Sequence, residues 1–131
     1  MSEVVDVEKT VAHYREGVRR ACAIYAGEAK KHKGSVRAYY RALANSEDAA
    51  CAIERWVREQ QNGGISPEEM MRAMIGLMSG SLAHVFCENL GADFIAMAAR
   101  MFVQQLGTTA AVADDAGPIT SDVHMEPGGR A

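Results

Sequence analysis

Apolar side chains recur at Val7, Val11, Tyr14, Val18, Ala21, Cys22, Tyr25 and Ala29, in steps of three and four. That spacing lines one stripe of a helix and predicts a first helix from Asp6 to Lys33. Lys30, Lys31, His32 and Lys33 crowd its end, where cations suit the negative pole of the helix dipole. Gly34 then fits the left-handed position after a helix. Ser35 is a natural N-cap for a second helix over 36–61. Its stripe is Val36, Tyr39, Tyr40, Leu43, Ala50, Ile53 and Val57. Asn45-Ser46 offers a place where a new helix could begin instead, and Gly63-Gly64 ends the segment.

Ser66-Pro67-Glu68-Glu69 is the sharpest local signal. Ser66 and Glu69 form a capping box, Pro67 takes the first helical position, and Ile65 and Met70 form a hydrophobic staple. A helix over 66–90 follows, stopped by Gly91. From Ala73 to Cys87 it carries no charge apart from any proton on His84. Asp93 caps a fourth helix over 93–106, with Phe94, Ile95, Met97, Ala98, Met101, Phe102 and Leu106 facing inward and Gly107 as its stop. The pattern ceases there, which predicts a helical domain over 1–107 and a flexible tail over 108–131.

The expected fold is therefore all-α: a four-helix bundle, with a long antiparallel hairpin over 6–61 and helices over 66–90 and 93–106. The third helix is apolar on nearly every side, more than its own chain can cover. That argues for a dimer.

Composition supports this class. The chain has 131 residues, 48% of them hydrophobic and 24% charged, the balance of one globular domain. Net charge is −3, but residues 1–61 hold 11 Lys+Arg against 9 Asp+Glu, and residues 62–131 hold 3 against 8. The uncharged run is shorter than the ~20 residues a bilayer requires, so no membrane span is expected. Cys22, Cys51 and Cys87 lie in apolar stretches without a CxxC pair. They read as reduced, buried thiols in a cytoplasmic protein.

Two surfaces carry candidate function. On the third helix, Gly76, Ser79, Gly80, Ala83 and Cys87 form a seam of small residues beside Met71, Met74, Met78 and Phe86. Small residues admit a neighbouring backbone, and methionine adapts to irregular surfaces. This is the expected interface, with Trp56 as an additional anchor. The second surface is a basic elbow of Lys30, Lys31, Lys33, Arg37 and Arg41 with Tyr40 interleaved, where arginines could pair with a phosphate backbone and a tyrosine could stack.

His84, Cys87 and Glu88 would share a helix face, yet no further ligand pattern accompanies them, so no metal or cofactor is expected. No nucleophile or paired-carboxylate motif occurs, which argues against an enzyme. The expected function is a non-catalytic adaptor, inhibitor or regulator that occupies a protein surface, as a homodimer and with another protein as partner. In size and texture it is similar to small helical inhibitors of phages and mobile elements. The competing expectation is a small nucleic-acid-associated regulator.

Overall fold

The computed structural model describes residues 4–116. The chain is all-helical, with five helices and no strand among the described residues: α1 (Val7–Lys31), α2 (Gly34–Ala44), α3 (Glu47–Asn62), α4 (Pro67–Val85) and α5 (Ala92–Ala116). It divides between Ser66 and Pro67 into two units.

In the first unit, α1 packs against both α2 and α3. Asp6 caps α1 by accepting the Lys9 amide proton at 3.1 Å. The expected stripe of α1 is covered along its whole length, with Val11, Cys22 and Ala29 fully buried. Cys51 and Val57 of α3 complete the core. The side-chain amide of Asn62 clamps the chain before α1, accepting from the Val5 amide at 2.7 Å and donating to the Val5 carbonyl at 2.8 Å.

The single helix expected over 36–61 is two helices. At the break the Ser46 hydroxyl donates to the Leu43 carbonyl at 2.6 Å, and the Asn45 amide donates to the Arg41 carbonyl at 2.8 Å. These side chains satisfy carbonyls that a continuous helix would have bonded itself. The interruption also resets the helical phase. Tyr40 and Leu43 turn inward as expected, but Val36, Tyr39 and Ile53 are exposed. Lys33, not Ser35, occupies the N-cap position of α2. Gly34 does adopt a left-handed φ of 64°.

Gly64 closes α3 with φ 92°, a conformation costly for any residue with a Cβ. The Ile65 amide donates to the Gln60 carbonyl and the Gly64 amide to the Gln61 carbonyl, the paired bonds of a Schellman stop.

Ion pairs bind α1 to α3. Glu47 accepts from Arg15 and Arg19, Asp48 also accepts from Arg15, and Glu8 pairs with Arg55. Hydrogen bonds from Arg15, and then from Arg19, hold the Glu47 carboxyl below its ordinary value of 4.5. A depressed folded pKa means stabilisation present above the unfolded value and lost as the pH falls through the folded one. The melting temperature should therefore drop on acidification below about pH 4.5, and Glu47→Gln should flatten that drop. Parallel thermal melts of both proteins between about pH 6 and pH 3 check this; identical acid slopes would exclude the Glu47 pairs as its source.

The second unit holds α4 and α5. Helix α4 begins at Pro67 as expected but ends at Val85, short of residue 90. Cys87 thus lies in the turn after it and is exposed, unlike buried Cys22 and Cys51. Helix α5 begins at Ala92, so Asp93 sits in its first turn instead of capping it. It continues through the expected stop at Gly107 to Ala116. The alanines at 110, 111 and 113 are the best helix formers and outweigh the roughly 1 kcal/mol cost of one glycine. The Thr108 hydroxyl also bonds back to the Gln104 carbonyl at 3.0 Å. The remainder of the expected tail lies outside the described residues.

Candidate functional site

Between Met71 and Val112, fifteen large hydrophobic side chains are exposed. The rings of Phe86 and Phe94 meet 5.2 Å apart at the corner between α4 and α5. The two helices do not pack closely along their lengths, and every residue from 75 to 93 is exposed. Met70 is the single buried residue among those described from 67 to 112. Of the α5 positions expected inside, Phe94 and Ala98 are partly covered; Ile95, Met97, Met101, Phe102 and Leu106 are exposed. Among the described residues no helix packs closely against them, so an apolar periodicity that would bury them in a bundle leaves them open.

On α4 the exposed residues form a pattern. Met71, Ile75, Met78, Leu82 and Val85 alternate in steps of four and three, with exposures from 38% at Leu82 to 67% at Val85. A repeat of 3.5 residues keeps one seam facing a parallel or antiparallel neighbour along a left-handed supercoil. Phe86 borders the seam and Met74 beside it is half-buried. Leu82 and Val85 flank the expected interface, and Ile75 joins them although the small-residue reading passes over its 4–3 spacing. The small-residue stripe lies on the opposite side of α4. Ser79 and Ala83 are exposed there, and a Cβ added at Gly76 or Gly80 would meet nothing within 4 Å.

The scale of this surface is unusual for one chain. The largest apolar patch on a typical monomer is about 300–600 Å². Fifteen side chains of this size at these exposures present on the order of 1,000 Å², comparable with the ~800 Å² each partner gives to a standard interface. Trp56 stands apart, half-buried on α3 in the first unit.

In the basic elbow, the predicted residues separate into distinct roles. Lys31 pairs with Glu28 at 3.2 Å, and His32 lies 3.5 Å from the same carboxylate. Tyr40 is half-buried, stacked on His32 at 5.5 Å and on Tyr25 at 6.3 Å, with Tyr39 edge-on at 5.3 Å. Its ring is thus engaged within the chain, where it fastens α1 to α2. Arg37 donates from Nε to the Ala29 carbonyl at 3.0 Å, capping the end of α1. A groove of about 480 Å³ runs between the two helices, lined by Ala26, Ala29, Lys30, Arg37, Arg41, Ala44 and Asn45.

Among the described residues, no group of three or more His, Cys, Asp or Glu is placed to hold a metal ion. His84 occupies the last turn of α4, while Cys87 and Glu88 follow its end, so the three do not share a helix face. No described helix is long and apolar enough to cross a membrane. The chain matches no known protein family, no curated protein and no solved structure.

Proposed function

We propose that this chain is a non-catalytic interaction module, an adaptor, inhibitor or regulator that works by occupying a protein surface, and that it pairs with a second copy of itself through α4. The supporting observation is the exposed seam from Met71 to Val85. Left about half in water, each such side chain forgoes roughly 1 kcal/mol of burial. A two-fold pairing supplies that burial with the chain's own residues, and it is the commonest closed assembly. The open stripe of Gly76, Ser79, Gly80 and Ala83 is then left on the outer side of α4, where a target helix can approach closely.

Sedimentation or light scattering over a dilution series tests the pairing. A mass of two chains that falls on dilution supports it; a single-chain mass at every concentration rejects it. Gly80→Leu identifies the face. Because the site is open, leucine should be accommodated, should gain about 1 kcal/mol of helix propensity over glycine, and should leave the dimer mass unchanged. Loss of the dimer in that variant would transfer the pairing from the Met71–Val85 seam to the small-residue stripe.

A further inference from the structure

We propose that the groove between α1 and α2 binds the phosphate backbone of a nucleic acid, with Lys30 on one wall and Arg37 and Arg41 on the other. The argument begins with how the first unit distributes its charges. Five of its carboxylates are engaged in ion pairs: Glu47 and Asp48 with Arg15, Glu8 with Arg55, Glu54 with Arg58, and Glu28 with Lys31. From Ala29 to Ser46 the sequence contains no acid at all. Lys30, Lys33, Arg37 and Arg41 make no ion pair among the described residues. Four unpaired cations of an acidic protein thus lie within twelve residues at one junction. Such a local field draws in anions despite the net charge of −3.

Geometry selects the class of anion. Arg37 and Arg41 lie one helical turn apart, on the same face of α2. Lys30 faces them from α1 across the groove. Three cations spread along an open trough suit a run of successive phosphates better than a single one, which an enclosed cavity would hold more firmly. The bond from Arg37 Nε to the Ala29 carbonyl fixes that arginine while leaving its terminal nitrogens available. The remaining lining is the methyl groups of Ala26, Ala29 and Ala44, with Asn45 at one end. No bulky apolar side chain stands in the trough to enter a bilayer, which disfavours a lipid surface. Because Tyr40 is held in its stack, recognition rests on the backbone and is independent of base sequence.

The test is fluorescence anisotropy of the full chain with a labelled mixed-sequence oligonucleotide, single-stranded and duplex, at several salt concentrations. Three phosphate contacts predict an affinity loss of roughly 20- to 40-fold between about 50 and 200 mM salt. Lys30→Gln/Arg41→Gln removes two contacts without touching the Arg37–Ala29 bond, and should weaken binding at low salt and reduce that loss to about threefold. Lys9→Gln/Arg20→Gln removes the same charge from α1 outside the groove and should retain the parent salt dependence. Circular dichroism confirms that both variants are folded. Absence of binding at low salt, an equal effect of the two double variants, or binding confined to anionic phospholipid vesicles would overturn the proposal.

Discussion

Replacing Ile75 and Leu82 together with glutamate should leave only single chains at concentrations where the parent protein is paired. Both residues sit in the α4 seam at consecutive like positions of its 3.5-residue repeat, and both are exposed in the single chain. Neither belongs to the core of one copy. In the pair the substitution acts on four side chains. Each is already about half covered in the single chain, so only about half of the roughly 1.5–3 kcal/mol of full burial is at stake, and about 3–6 kcal/mol disappears, before any cost of confining carboxylates. Affinity arithmetic turns that into a weakening of roughly a hundredfold to ten-thousandfold. Sedimentation reads the mass, and circular dichroism should show helicity retained. A variant with the parent's mass at every dilution would remove the seam from the interface.

Glu54→Ala should destabilise the first unit by about 3–5 kcal/mol, far more than any surface ion pair contributes. Arg58 is 3% exposed, and its Nε donates to Glu54 one turn earlier on α3 at 3.1 Å. Gln61 also accepts from it at 3.0 Å. Removing the carboxylate takes from a cation inside the protein the charge that it bonds one turn away. Glu54→Leu/Arg58→Met removes both charges and should recover most of the loss, because a buried pair replaced by apolar residues of similar volume costs little. The contrasting case is Glu8→Ala. Its partner Arg55 is considerably exposed, and the change should cost far less. Urea denaturation of the three variants decides the matter. A Glu54→Ala cost no larger than that of Glu8→Ala would mean that Arg58 is satisfied without Glu54.

The parts of this molecule legible in the sequence are those set by short-range chemistry. The stripe from Val7 to Ala29, the start at Pro67 and the stop at Gly64 each depend on residues within a turn of one another. The break after Ala44 depends on two polar side chains competing with the helix for its own carbonyls; Asn45-Ser46 hinted at it, but spacing could not decide. The run through Gly107 is obscured for the converse reason: a single glycine signals a stop that the alanines after it override. Periodicity also says which residues are apolar on a helix face, but not whether another element arrives to cover them. Ile95, Met101 and Leu106 have the spacing of a core and are exposed. At the elbow, the composition was evident while the division of labour was not. Tyr40 is taken by His32 and Tyr25, a relation that required the turn between α1 and α2 to be formed, whereas Lys31 is taken by Glu28 within α1 itself.

Asn62 grips the chain at Val5 with two hydrogen bonds, across 57 positions of sequence. The point where the polypeptide leaves α3 is thus fastened to the point where it enters α1. A mechanical load applied through the residues beyond 62 passes directly into the opening segment, bypassing the helices in between. Those two hydrogen bonds act like a clasp closing a loop. Whatever tugs on the latter half of this protein, the first three helices receive the strain as a single ring.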